Sequence, residues 1–228
     1  IKDLTSKEIY NIFLYNKNPS NLSKTYWEQT AFPGYHFNWE AWFHYNLENK
    51  LTPRKCKDMA FKIFYSLLST ESRLKRMGFS NGICSVCSDN SEPENVSHLI
   101  WSCSYKRKLW KMIENLIKSS LLHSFTLTRL EAICGHFVFE LDNDSISIIN
   151  MLLSLVRYHI WLSRNAARFD NKNISFIESY LRLRYTITDH IQLLLQSKTT
   201  KKDIKDKLSL LLTEVPVIFR DGIRENDI

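Results

Sequence analysis

Cys84, Cys87, His98 and Cys103 stand in the order C-x2-C-x10-H-x4-C. Thiolate and imidazole are the ligands that zinc, a borderline-soft ion, takes at tetrahedral corners. Two cysteines separated by two residues wrap one ion from a tight turn. His98 and Cys103, in the apolar stretch HLIWSC, come back to it from the start of a second element. Three cysteines and a histidine fill all four positions and leave none for water, so the pattern predicts a structural Zn2+ and disfavours a hydrolase built on the metal. The alternative is a group of buried free cysteines with a capping histidine. The intervening SDNSEPENVS is polar and contains Pro93, as a surface excursion between two ligand pairs should be. A redox C-x-x-C would need a strand-to-helix context that is missing here. Cys56 and Cys134 have no partner at ligand spacing and read as core residues. His36, His44, His123, His136, His159 and His190 have no convincing catalytic partner at short range.

The elements that must hold this cluster read as helices. Thr5 and Glu8 have the form of a capping box, which predicts a short helix ending before Asn18-Pro19. In FNWEAWFHYNL, residues Trp39, Trp42, Phe43 and Leu47 recur at helical spacing and read as core aromatics. Pro53 opens the next helix. Its stripe of Ala60, Phe61, Ile63, Phe64, Leu67, Leu68 and Leu74 closes at Gly78. The helical period resumes from Tyr105, with Leu109, Trp110, Ile113, Leu116 and Ile117 inward, and a short helix is expected around Leu127 to Cys134 before the apolar HFVFEL. Two long helices follow, Ser145 to Phe169, capped by Asp144 or Ser145, and Ser175 to about Ser197. One more segment runs from Ile204 to Leu212, and VPVIF at 215–219 is too short to classify. The expected fold class is mainly α, a helical domain with an irregular CCHC zinc-binding insert between helices. Three stretches are expected: 1–50, an N-terminal helical and aromatic segment; 51–122, a helix–zinc knuckle–helix module; and 123–228, a C-terminal helical region with a basic tail.

Bulk numbers bound what else the chain does. With 228 residues, 44% hydrophobic and 24% charged, it has the balance of a globular protein. No run approaches the roughly 18 apolar residues of a membrane span, and no basic start followed by an apolar core marks a signal peptide. The chain opens on Ile1, which fits a piece of a longer protein. Five glycines leave no room for a Gly-rich phosphate loop. An odd five cysteines, three of them clustered with a histidine, argue for metal over disulfides and hence for a reducing intracellular compartment. The net charge of +7 fits a nucleic-acid partner without requiring one.

Basic residues flank the metal segment on both sides: Arg73, Lys75 and Arg76 before it, Lys106, Arg107, Lys108 and Lys111 after it. Folding around zinc should bring the two groups near each other as a sequence-independent phosphate-binding face. A solvated helix face beside a structural metal accounts for them equally. Arg157, Arg164 and Arg168, spaced by 7 and 4, line one face of the first long helix. Arg164 and Asn165 also suit the satisfaction of buried carbonyls or helix ends. Trp101, between two ligands, reads as wedged over the metal site.

The order of these phrases resembles the zinc-binding region downstream of the reverse transcriptase in LINE-type (non-LTR) retrotransposon polyproteins. There a helix ending in T-x-x-R-L-x-x-x-G leads into C-x-x-C, followed by a His-Leu phrase, a Cys and a Trp. Here these are Thr70, Arg73, Leu74, Gly78, Cys84, Cys87, His98, Leu99, Cys103 and Trp110. Downstream, IWLSRNAARF resembles the family's Trp…Arg-Asn…Phe phrase, in Trp161, Arg164, Asn165 and Phe169. The resemblance covers about residues 37 to 170. It implies an accessory domain with structural zinc that assists binding of RNA template or target DNA beside the polymerase portion of a polyprotein, in a ribonucleoprotein of nucleus and cytoplasm, with no membrane partner. The chain itself is not expected to be an enzyme: it has no Y/F-x-D-D motif and no set of acids and histidines resembling a nuclease centre. The alternative is a structural or protein-interaction module whose zinc only replaces core.

Overall fold

The computed structural model describes residues 21–84, 86, 92–135, 141–170 and 175–224. The capping box at Thr5, the helix before Pro19 and HFVFEL from 136 to 140 lie outside the described residues. Helix α1 (Asn21–Thr25) continues in π-helical turns over Tyr26–Ala31. Helix α2 (Trp39–Phe43) continues likewise over His44–Glu48. Asn38 caps α2, its side chain accepting from the Ala41 N–H at 3.0 Å. Trp42, Phe43 and Leu47 are buried, as their spacing predicts. Trp39, Trp42 and Phe43 pack around Phe64, whose carbonyl accepts the Trp27 indole N–H at 2.9 Å.

Pro53 precedes α3 (Arg54–Phe64), whose buried face is Cys56, Met59, Ala60, Ile63 and Phe64. The expected single stripe to Gly78 is in fact two helices. Ser66 takes φ +53°, turning the chain out of α3, and Thr70 caps a separate α4 (Glu71–Arg76). Gly78, at φ +80°, ends α4 with two bonds back into its last turn, from Gly78 N–H to the Lys75 carbonyl and from Phe79 N–H to the Leu74 carbonyl.

Next come a π-helical turn (His98–Ser102), α5 (Ser104–Ser120) and α6 (Arg129–Cys134), the last with a Thr128–Glu131 capping box. Helix α7 (Asn143–Phe169) starts earlier than its apolar pattern. Its cap is Asp142, not Asp144 or Ser145, and Asp142 accepts from the Ser145 N–H at 3.0 Å. Helix α8 (Phe176–Gln196) falls where the pattern from Ser175 predicts it, with Ser175 as its cap. Helix α9 (Lys202–Arg224) runs through Pro216, so the segment at Ile204 and the unclassified VPVIF form one element. Ile204, Leu208, Leu211, Val215 and Phe219 form one buried stripe across the proline. Packing of that stripe outweighs the lost hydrogen bond.

The chain is mainly helical, and its described residues contain no strand, only an isolated Ile83–Pro93 bridge. One apolar core extends from Trp27 to Phe219. Helix α7 runs through it, packed on α3, α5, α8 and α9. An 18-residue window of α7 has mean hydropathy 1.3, enough to cross a membrane by composition, but 78% of it is buried inside the protein, the pattern of a core helix.

Polar groups inside this core are paired across elements. Arg157 is 1% exposed. It donates to the Ile133 carbonyl (2.7 Å), Asn46 Oδ1 (3.1 Å) and Ser154 Oγ (2.7 Å), tying α7 to α2 and α6. Burial pulls its guanidinium down to about 10, so it stays charged at neutral pH. Cys56 and Cys134 are buried thiols, and burial pushes Cys56 up to about 12 and Cys134 higher still.

His159 on α7 is buried, with Nε2 2.9 Å from Ser179 Oγ on α8. Burial first, then the Lys106 charge, pull it down to about 4. The unfolded chain takes up this proton near the ordinary imidazole value of about 6.5, and the folded chain only near 4. The neutral ring's contribution is therefore whole above about pH 6.5 and is lost as pH falls toward 4, by an amount on the order of 3 kcal/mol. Thermal melts across this window should show a shallower loss of Tm in His159→Gln than in the parent chain, both kept zinc-loaded.

Candidate metal centre

Cys84, His98 and Cys103 are each placed by a local device that their neighbours in sequence supply. The Ile83 N–H bonds Asn81 Oδ1, and the Gly82 N–H bonds Ser80 Oγ, each at 3.0 Å, so a short side-chain-capped turn delivers Cys84. Gly82 sits at φ +87°, and a Cβ there would lie 2.6 Å from Lys75 Cδ, so only glycine fits the turn against α4. On the other side, Asn95 Oδ1 accepts the His98 N–H at 2.8 Å. His98 and Cys103 bracket the π-helical turn, whose last bond runs from the Cys103 N–H to the His98 carbonyl at 3.0 Å. A bond across five residues is what brings a histidine and a cysteine in H-x4-C spacing to the same side of the chain. Leu99 and Ile100, buried inside the turn, anchor it to the core. The Trp110 indole N–H donates to the Ile100 carbonyl at 2.6 Å, which gives the Trp of the family phrase its part.

The ligand atoms of Cys84, His98 and Cys103 all lie within 4.8 Å of one another, and all three residues are buried. Ligands of a tetrahedral zinc sit roughly 3.5 Å apart, within reach of this arrangement. Cys87 lies outside the described residues. His98 Nδ1 is 2.7 Å from a carboxylate oxygen of Glu92, leaving Nε2 for the metal. A carboxylate behind a ligating imidazole fixes its tautomer and orientation. Burial disfavours the imidazolium, but the Glu92 and Cys84 hydrogen bonds outweigh it and raise His98 above its ordinary value. Zinc takes the neutral ring and must displace that proton. Cys84 and Cys103 form an apolar cluster of their own, with Val86 and Tyr105 packed against it among the described residues.

Behind the site lies a buried charge cluster that the spacing of residues did not announce. Glu94, in the loop expected to be a surface excursion, is fully buried. Its backbone is pinned on both sides, by Glu94 N–H to the Gly82 carbonyl (3.0 Å) and Ser72 N–H to the Glu94 carbonyl (3.1 Å). Its Oε1 accepts the Glu71 N–H and Arg164 Nε, each at 3.0 Å. Arg164 Nη2 donates to Glu71 Oε1 at 2.6 Å, and Arg168 Nη1 and Ser80 Oγ also reach the Glu71 carboxylate. Burial pushes the Glu94 carboxyl up, while the charge and hydrogen bond of Arg164 pull it back. Arg164 also lies 5.3 Å over the Trp161 ring.

The ten basic residues read as nucleic-acid contacts divide by burial. Arg157 and Arg164 do line one face of α7, but that face points into the protein, and Lys106 is 2% exposed. A cation held inside by internal partners cannot reach a phosphate, so these three are corrected. Arg168 is bound to Glu71 and Arg73 to the Ser66 carbonyl (2.7 Å). Lys75, Arg76, Arg107, Lys108 and Lys111 are exposed. The two flanking groups do not form one face by direct packing, because α4 has no extended contact with α5. Trp101 is half-buried against the main core, with the Arg107 guanidinium 4.5 Å above its ring. Glu71, Glu92 and Glu94 were missed. The available signal was Arg164 and Arg168 at i, i+4 on a helix otherwise apolar enough to be buried, which demands acids from elsewhere.

Fold and site together define a mainly helical chain with a candidate Cys/His/Cys zinc centre. Residues 36–110 match the family described as zinc-binding in reverse transcriptase, in agreement with the resemblance carried by Thr70 to Trp110. Over 165 residues, 71% of this chain, the sequence is 26% identical to the "Transposon TX1 uncharacterized 149 kDa protein" of Xenopus laevis. That stretch is 12% of the relative, so the chain spans only a small part of its length. No solved structure matches.

Metal analysis of the purified chain should find zinc at one ion per chain. Chelation should lower Tm and raise hydrogen exchange first between Gly78 and Leu109, where the ligands substitute for a core. Glu92→Gln should weaken zinc by about tenfold in chelator competition while leaving the helical circular dichroism unchanged.

Proposed function

We propose that this chain is a zinc-stabilised nucleic-acid-binding accessory domain of a non-LTR retrotransposon reverse transcriptase polyprotein. In this reading it helps hold RNA template or target DNA near the polymerase portion, itself does no catalysis, and works in a ribonucleoprotein of nucleus and cytoplasm. Cys84, Cys87, His98 and Cys103 form the closed four-ligand set, so zinc acts by holding the chain and not on a substrate.

The observation that carries the reading is the start of α5. Its first turn contains no acid and bears Lys106 and Arg107, with Lys108 next. Cations at the positive end of a helix are unfavourable by about 0.3–1 kcal/mol each, so something must repay them. Arg107 and Lys108 are exposed there, with Lys111 one turn on. Their side chains suit a phosphate. Lys75 and Arg76 on α4 are a separate exposed basic pair.

Two observations favour the second reading, a structural or protein-interaction module. Zinc with three thiolates and a neutral imidazole carries one net negative charge beside the α5 cap, which offsets part of the same basic turn. Leu162 and Phe169 on α7, and Ile177, Leu181 and Tyr185 on α8, are exposed apolar residues at helical spacing.

Titration of labelled RNA and DNA oligonucleotides at two salt concentrations separates them. Phosphate binding should weaken steeply with salt, and Arg107→Glu with Lys108→Glu should reduce affinity at least tenfold and lower the salt slope by roughly two. Binding that is negligible and flat in salt would leave the interaction module.

A further inference from the structure

Arg164 and His98 are far apart in sequence, yet one short chain of bonds joins them. Arg164 Nε holds Glu94 Oε1 at 3.0 Å. Glu94 follows Glu92 and Pro93 directly. Glu92 is 2.7 Å from His98 Nδ1, and Pro93 bridges Ile83, the neighbour of Cys84. Asn95, next along, accepts the His98 N–H. Four consecutive residues therefore carry the imidazole's carboxylate, the link to the Cys84 turn, the link to α7 and the backbone anchor of the ligand.

The side chain of Glu94 is 1% exposed, as is that of Arg164. The Glu71 side chain is 2% exposed. A carboxylate this deep stays only while a cation pairs with it. Without Arg164, Arg168 still reaches Glu71, but Glu94 has no remaining cation among the described residues. The least disruptive response is for the loop to swing Glu94 out to water. That movement takes Glu92, Pro93 and Asn95 with it, and so the alignment of His98 and Cys84.

We infer that Arg164 of α7 is a positioning residue for the zinc site, and that metal binding and the docking of α7 on the zinc lobe are coupled through Glu94. Coupling of this kind is reciprocal. A loop held by zinc presents Glu94 to Arg164, and a loop held by Arg164 presents His98 to zinc. The zinc lobe thereby reports its metal state to the helix at the centre of the fold.

The test measures zinc affinity by competition with a chromophoric chelator at neutral pH, on chains shown to be folded by circular dichroism. Arg164→Met and Glu94→Gln should each weaken zinc by about tenfold or more. A core variant remote from the site, Leu152→Ala, should lose Tm yet keep zinc affinity within about twofold, because distant sites act independently. The triple variant Glu71→Gln, Glu94→Gln, Arg164→Met removes the buried charge imbalance. It should fold better than Arg164→Met yet still bind zinc more weakly than the parent chain. Where Arg164→Met does not fold, Glu94→Gln and Arg164→Lys carry the same measurement. In the parent chain, chelation should raise hydrogen exchange at residues 160–168 of α7 more than at 146–152. Zinc affinity unchanged in folded Arg164 or Glu94 variants, or exchange in α7 indifferent to chelation, would overturn the coupling and leave Arg164 as core support alone.

Discussion

Two carboxylates from separate segments and one guanidinium from α7 meet where water does not reach, and most of the architecture around the metal follows from having to satisfy them. Glu71 arrives on the first turn of α4, Glu94 on the loop between the ligand pairs, Arg164 on α7, 70 residues beyond Glu94. Buried ion pairs are poor sources of net stability, because desolvation consumes most of the Coulomb gain. Breaking one by removing a single partner still costs about 3–5 kcal/mol. Such a cluster therefore serves less as glue than as a registration mark. It permits one arrangement of helix, loop and helix and penalises the rest. That is the work needed where a small irregular lobe must sit in one way on a helical body.

The lobe needs such a mark because it has little core of its own. Apart from the ligand cysteines, Val86 and Tyr105 are what packs into its separate apolar cluster among the described residues. Segments of that size usually draw folding energy from metal. The π-helical turn then links the two parts. Its inner residues Leu99 and Ile100 belong to the main core, while its end residues His98 and Cys103 belong to the metal. One turn of chain is shared by both, so zinc and core are not independent.

Much of this was legible in the residues. Three of the four expected ligands converge, and the fourth lies outside the described chain. The stop at Gly78, the short helix around Leu127 to Cys134, the start of α8 near Ser175 and the apolar stripes of α5, α7 and α8 are local, set by residues a few positions apart. Misreadings arose where a local pattern was overruled from a distance. The stripe through Leu67 and Leu68 looks continuous, yet Ser66 breaks it. Pro216 looks like a terminator, yet packing of Val215 and Phe219 carries α9 through it. EPEN looks like a solvated loop, yet Glu94 is inside.

Arginines show the division most plainly. Spacing alone places Arg157, Arg164 and Arg168 on one side of a helix, because 3.6 residues make a turn in any helix. Whether that side meets water or protein depends on the neighbours, and here it meets Asn46, the Ile133 carbonyl, Glu71 and Glu94, all distant in the chain. Ligand chemistry and helical class were therefore settled by short-range rules that the amino-acid order obeys wherever the segment sits. The fate of each charge was decided only in the folded chain, since burial is a property of what packs against a residue and not of the residue.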